Sequence, residues 1–176
     1  MTEKKKKTFD VLIEIPRGSR NKYEYDFKIR RMRFDRMLFS SMMYPADYGF
    51  IPETLALDGD PLDVLVLINE PTFPGCVMEV KPIGVFHMAD DKGPDEKVIC
   101  VPVSDPIWNS LNDLSDVNPH LIKEIEHFFQ VYKDLENKQV DVEGWGDVNE
   151  AFAIIKECTE RFDAIENKPK NLFSIK

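Results

Sequence analysis

The sequence predicts a mainly β chain of the α+β class, a small β-barrel flanked by two helices in one domain. Three observations point there. Over the first two-thirds, short alternating or wholly apolar runs are punctuated by Pro and Gly at the intervals of a barrel or sandwich. After Asn118-Pro119 the hydrophobic period lengthens from about two to about 3.6 residues. No internal repeat, low-complexity linker or αβ alternation breaks the chain into other arrangements.

The elements follow in order. Residues 9–15, F-D-V-L-I-E-I, alternate imperfectly, with Phe9, Val11, Ile13 and Ile15 on one face. After the turn-rich P-R-G-S-R-N, residues 22–29 alternate cleanly. Tyr23, Tyr25, Phe27 and Ile29 fall on one side, and Lys22, Glu24, Asp26 and Lys28 on the other. Residues 64–68, V-L-V-L-I, form a continuous apolar strand, too short for a helix by itself. Further strands are expected at 77–80, 83–88 and 97–103. Asn118-Pro119 is a cap-and-first-turn signal. Leu121, Ile122, Ile125, Phe128, Phe129, Tyr132 and Leu135 then recur at helical spacing. A second helix should start near Asp147, with Glu150 placed as in a capping box. Its apolar stripe is Ala151, Phe152, Ile155, Cys158, Phe162 and Ile165. The expected layout is a flexible basic tail over 1–8, one domain over 9–168 and a C-terminal tail over 169–176.

Composition bounds the function. At 176 residues with 43% hydrophobic and 11% aromatic content, the chain can bury a sizeable core. A net charge of −9 disfavours non-specific nucleic-acid or anionic-membrane binding. No apolar run approaches the roughly 18–20 residues of a membrane span, and no signal-peptide segment follows the basic start. Cys76, Cys100 and Cys158 are odd in number and widely spaced, which suggests neither a zinc site nor a disulfide framework. A reducing, cytoplasmic setting is expected.

The chemistry concentrates at residues 58–63, D-G-D-P-L-D. Asp58, Asp60 and Asp63 are hard oxygen ligands of the kind that Mg2+, Ca2+ or Mn2+ prefer. Gly59 and Pro61 make the segment a turn on which the carboxylates could converge. An EF-hand fails, because its sixth position would need Gly and is Asp63, and its twelfth would need Glu and is Asn69. Turn formation alone accounts for one Asp better than for three beside an apolar strand. A second acidic run, M-A-D-D-K-G-P-D-E-K, offers Asp90, Asp91, Asp95 and Glu96, with Lys97 after them. By itself it reads as a solvated hairpin; after a strand, it could deliver carboxylates to the same place.

Several divalent ions on two acidic clusters suit phosphoryl chemistry, because they neutralise phosphate charge and activate water. The remaining phosphate oxygens need cations and hydroxyls from the protein. Lys22 and Glu24 share a strand face; Arg36, Tyr44, Tyr48, Tyr132 and Lys133 are further candidates. Each tyrosine also has a plain reading as a core aromatic.

At this point the residues resemble a known family. D-G-D-P-L-D-V-L-V is similar to the signature of family I soluble inorganic pyrophosphatases. I-E-I-P-R-G-S-R-N-K-Y-E, F-D-R, Y-P-A-D-Y-G-F-I-P-E-T, P-G-C-V and H-F-F-Q-V-Y-K-D-L-E match that family in order, over about residues 9–165. The compact length resembles the prokaryotic form. The resemblance implies a five-stranded OB-like barrel and Mg2+-dependent hydrolysis of pyrophosphate by metal-activated water, without a covalent intermediate. It implies several Mg2+ ions per site, with Mn2+ or Zn2+ as substitutes, and pyrophosphate arriving as its magnesium complex. Asp58, Asp63 and Asp95 would ligate the activating metals, joined by Asp90, with Glu14 and Glu24 acting through water. Asp60 would be the general base, with Asp95 the second choice. Lys22, Arg36, Tyr48, Tyr132 and Lys133 would bind phosphate oxygens, Lys97 would assist and Tyr44 would line the cavity. A homohexamer, a trimer of dimers, is also implied. Asp91 stands where many members have Glu.

Two rivals are weaker. A dehalogenase-type phosphatase should place its Asp-x-Asp turn after a strong apolar strand in an αβ array, and here the strand follows the turn. An OB-type nucleic-acid binder should show a basic groove with stacking aromatics, where this chain concentrates acid. A calcium-binding structural protein is the remaining non-catalytic alternative.

Overall fold

The computed structural model describes residues 8–170 and 172–175. The basic run at residues 4–7 lies outside the described residues. In chain order the elements are β1 (Phe9–Ile15), β2 (Asn21–Asp26), β3 (Arg31–Met37), β4 (Asp47–Phe50), β5 (Asp63–Val66), β6 (Val77–Asp90), β7 (Gly93–Pro94), β8 (Lys97–Pro102), α1 (Pro119–Val131), β9 (Asp141–Gly146) and α2 (Val148–Asp163).

Five strands close a ring in the order β1-β4-β5-β8-β6 and back to β1. All neighbours are antiparallel except β5 and β8, which run parallel. A parallel pair cannot be joined by a tight turn; the long β6 excursion supplies the crossover. Numbered within the ring, the order is first, second, third, fifth, fourth, the OB-like topology expected from the sequence. β4 passes so close to β1 that a Cβ at Gly49 would lie 1.9 Å from the Leu12 carbonyl oxygen, so this position admits no side chain.

Both faces of β5 are buried. Val64 and Val66 belong to one apolar cluster, with Val11, Ile13, Val85, Val98 and the α2 residues Ala151, Ile155 and Cys158. Leu65 belongs to the other, with Phe86, Ile99 and the α1 residues Ile125, Phe128 and Phe129. Burial on two faces explains why this strand reads as a continuous apolar run.

The helices start as their caps require. Asn118 accepts a hydrogen bond from the His120 amide ahead of Pro119 at the first turn. Asp147 accepts from the amides of Asn149 and Glu150. α1 stops at Val131, however, and Leu135 is 66% exposed on a following 3-10 turn rather than on the helical stripe. Asn137 closes that turn in the left-handed region.

Other boundaries also differ from the sequence reading. The runs 77–80 and 83–88 are one strand, β6, with a register shift between Pro82 and Gly84. A bulge tolerates the missing proline N–H without ending the ladder. β2 ends at Asp26, whose carboxylate accepts from the amides of Lys28 and Ile29 and turns the chain. β3, β4 and β9 were not marked by periodicity: β3 is Arg-rich, β4 is four residues long and wholly buried, and β9 carries two glycines. β2 and β3 pair with each other as a two-stranded sheet separate from the ring.

Candidate active site

A cavity of about 510 Å3 opens where the ring, the β2–β3 hairpin and the end of α1 meet. Asp58, Asp60, Asp63, Asp90, Asp95, Glu14, Glu24, Lys22, Arg36, Tyr44, Tyr48, Lys97, Tyr132 and Lys133 line it, as does Asp91, whereas Glu96 of the second acidic run does not. Residues as far apart in the chain as Glu14 and Lys133 thus share one cavity.

The acidic turn is held by backbone bonds from Ala56 to the Asp60 carbonyl and from Gly59 to the Ala56 carbonyl. Gly59 takes φ +93°, a region that favours glycine. Asp58 Oδ1 accepts from the Asp60 amide at 3.1 Å. Behind the turn, buried Thr54 donates to the Ile51 carbonyl and accepts from the Leu62 amide. The carboxylates therefore stand on a braced segment.

At the floor, Asp63 and Lys97 are register partners in the parallel β5–β8 pair. Lys97 is 1% exposed. Its Nζ donates to Asp63 Oδ2 and Asp95 Oδ1, each at 2.8 Å, and to Tyr48 Oη at 3.2 Å. Tyr48 in turn donates to Asp63 Oδ2. Burial opposes the charge on Lys97, but Asp63 and Asp95 outweigh it and hold its pKa above the ordinary lysine value. Burial raises the pKa of Asp95, with Lys97 opposing. Tyr44 and Tyr48 are raised well above the phenol range, chiefly by burial, and stay neutral donors. Their rings meet at 5.4 Å, and Tyr132 stacks on Phe128 at 5.1 Å, so each tyrosine is both core aromatic and cavity wall.

The other walls carry paired charges. Lys133 Nζ meets Asp90 Oδ2 at 3.0 Å. Burial would raise the Asp90 pKa, but the Lys92 amide and Lys133 outweigh it and hold it low. Lys22 Nζ lies 2.5 Å from Glu24 Oε1 and 3.4 Å from Asp35 Oδ2. Arg36 forks onto Glu136, with Nη2 at 2.9 and 3.0 Å from the two oxygens, and reaches Asp35 at 2.5 Å. Glu14 accepts from the Tyr25 amide at 2.7 Å, and burial pushes its carboxyl up to about 8 against that bond. Burial, then the neighbouring Asp58, raises Asp60.

Sequence reasoning did not single out Asp35 or Glu136. Glu136 is 100 residues from Arg36, and no local pattern marks the pair. His87 stands apart from the candidates, pairing with Glu150 of α2 at 3.0 Å.

The donor set fits divalent cations: hard carboxylate oxygens from two segments share a cavity with lysine, arginine and phenol donors. Among the described residues, no three His, Cys, Asp or Glu side chains are drawn together as a closed metal cage. Ammonium groups of Lys97, Lys133 and Lys22 neutralise several of the carboxylates instead. Such a wall can bind a polyanion whose charge is offset by cations, and it has groups of both kinds to do so.

A family model described as inorganic pyrophosphatase matches residues 11–163. The inorganic pyrophosphatase of Methanosarcina mazei is 60% identical over 152 residues, covering 86% of this chain and 90% of that protein. That of Halalkalibacterium halodurans is 50% identical over 156 residues, covering 89% and 96%. The crystal structure of inorganic pyrophosphatase from Thermus thermophilus superposes with a TM-score of 0.88 at 44% identity, covering 93% of this chain and 95% of that one. With the family model spanning residues 11–163 and the relatives covering most of the chain, the chain belongs to the inorganic pyrophosphatase family.

Proposed function

We propose that this chain hydrolyses inorganic pyrophosphate, delivered as its magnesium complex, to two orthophosphates by direct attack of water, without a covalent intermediate. The observation that carries the reading is the meeting of an acidic wall and a cationic wall in one cavity. Pyrophosphatases of this family depend on divalent cations; Mg2+ is the proposed ion here, with Mn2+ or Zn2+ as substitutes. When bound, such ions offset phosphate charge and activate water near neutral pH. Asp58, Asp63, Asp90 and Asp95 are the proposed ligands, with Glu14 and Glu24 acting through intervening water.

The remaining roles belong to the chain. Lys22, Arg36 and Lys133 draw the phosphate oxygens to the cavity and stabilise charge on the departing phosphate. Tyr48 and Tyr132 donate hydroxyl hydrogen bonds, Lys97 assists from the floor and Tyr44 closes the wall behind them. Asp60 accepts the proton of the attacking water. Asp60 lies 3.9 Å from Lys92 with its side chain 64% exposed, whereas Asp95 accepts a 2.8 Å bond from Lys97. The less committed carboxylate is the better proton acceptor.

Phosphate release from pyrophosphate is expected with Mg2+ and should stop with EDTA; no Mg2+-dependent turnover would refute the reading. Asp60→Asn should lower kcat by about 10^2 to 10^4, the range of general-base catalysis, with an unchanged circular dichroism spectrum. Full activity in that variant would shift the role to Asp95, and a trapped phosphoaspartate would favour the dehalogenase-type route.

The proposed assembly is a homohexamer, a trimer of dimers, in the cytoplasm. Phe34, Phe39, Met43 and Phe73 are each more than half exposed, apolar surface that suits subunit contacts. Light scattering at a hexamer mass checks this. Among the described residues, no helix is long and apolar enough to cross a membrane.

A further inference from the structure

The β2–β3 hairpin brings Lys22, Glu24, Asp35 and Arg36 to the cavity, yet it shares no hydrogen-bonded ladder with the ring among the described residues. A two-stranded hairpin is marginal unless something packs on it, so its position depends on side-chain docking. The ring of Phe27, in the turn after β2, is the docking peg. It meets Phe50 of β4 at 5.5 Å and Phe173, ten residues past the end of α2, at 5.2 Å. Phe173 itself lines the cavity.

Phe173 is tied down by its backbone as well as its ring. Its carbonyl accepts from the Glu53 amide at 3.0 Å, on the segment that leads into the acidic turn. Its ring also faces Phe162 of α2 at 6.3 Å. Its φ of 50° lies in the left-handed region, which is unusual for a bulky side chain and persists where surroundings over-determine it. Lys168 holds the chain after α2 against the end of that helix, with its Nζ 4.2 Å from the Phe162 ring centroid and 3.6 Å from Asp163. Ser174 is buried. Lys168, Phe173 and Ser174 lie beyond residue 163, where the match to the family model ends.

We propose that the C-terminal segment around Phe173 is a strap that positions the β2–β3 hairpin, and with it Lys22 and Arg36, against the acidic wall. Phe173 is a positioning residue: it acts through Phe27 on the groups that meet substrate, an inference that rests on the pyrophosphatase reading of this cavity. One segment touches both walls, through Phe27 on the hairpin side and Glu53 on the side of the acidic turn.

The test compares the full chain with Phe173→Ala, Phe173→Tyr and a chain ending at residue 168. Hydrogen exchange of the metal-free proteins and pyrophosphate kinetics with Mg2+ are both read. Loss of an aromatic anchor predicts a kcat/KM for pyrophosphate about two- to tenfold lower. Hairpin amides, above all that of Tyr25, should exchange faster in Phe173→Ala and in the shortened chain, while those of β5 and β8 do not. Phe173→Tyr keeps the ring and should restore both readouts. Unchanged hairpin exchange in both variants overturns the strap whatever the kinetics show. If Phe173→Ala fails to fold, the shortened chain decides alone; if both fail, global loss of structure in place of local release overturns the strap. If the full chain does not turn over pyrophosphate, the functional reading fails while hydrogen exchange still decides the strap.

Discussion

On the barrel side of the cavity, Asp63 and Lys97 face each other across the β5–β8 ladder, in the middle of the ring. On the opposite side, Lys22 and Arg36 face each other across the β2–β3 ladder, which stands outside the ring. Both pairs are register partners, but they are positioned by different forces. The barrel pair inherits its place from backbone hydrogen bonds and two buried apolar clusters. The hairpin pair is located by contacts that side chains make: Glu14 to the Tyr25 amide, Glu136 to Arg36, and Phe27 between Phe50 and Phe173. The Asp63–Lys97 side of the cavity is therefore held by the ring itself, and Lys22 and Arg36 sit on an element whose stability is local and lower.

That contrast can be broken from either side. The largest effect is expected from Lys97→Met. Removing the buried ammonium leaves Asp63 and Asp95 without their counter-charge, which should cost about 3–5 kcal/mol in urea denaturation of the metal-free protein. A cost below about 1 kcal/mol would show that the floor does not depend on this pair.

Glu136→Ala should be next. Arg36 loses its fork, and a hydrogen-bonded charged pair of this kind contributes about 1–3 kcal/mol. The loss should fall on the hairpin, as a raised KM for pyrophosphate and faster hydrogen exchange over β2 and β3, with β5 and β8 unmoved. If the ring exchanges faster as well, the two walls are one cooperative unit. Asp58→Asn should have the smallest effect on the fold, within about 0.5 kcal/mol, because the Asn side-chain oxygen can still accept the Asp60 amide. Its effect should appear instead as a higher Mg2+ concentration for half-maximal activity.

The parts that were legible in the sequence share a physical origin. β1, β5, β8 and both helices carry strong periods or wholly apolar runs, because each lies against a large buried surface. β3, β4 and β9 do not. β4 is buried on both faces over four residues, and its Gly49 is required by a contact with β1 that no local pattern encodes. Similarly, Asp58, Asp60 and Asp63 announce themselves by crowding like charges into one turn, whereas Glu136 is a common residue in an ordinary turn until Arg36 arrives. Phe173 looks like one more apolar residue near the end of the chain.

By itself the sequence determined the chemistry on offer: carboxylates crowded in a turn, cations and tyrosines of the kinds that suit phosphate oxygens, and a chain whose period changes from strand-like to helical. These are properties of neighbours along the chain, written in spacing and turn residues. Tertiary structure alone decided which charges neutralise which, that Lys97 rather than a surface lysine stands among the carboxylates, and that Phe173 reaches Phe27. Those pairings follow from ring closure and from the docking of a hairpin, and they join residues that become neighbours only once the chain has folded.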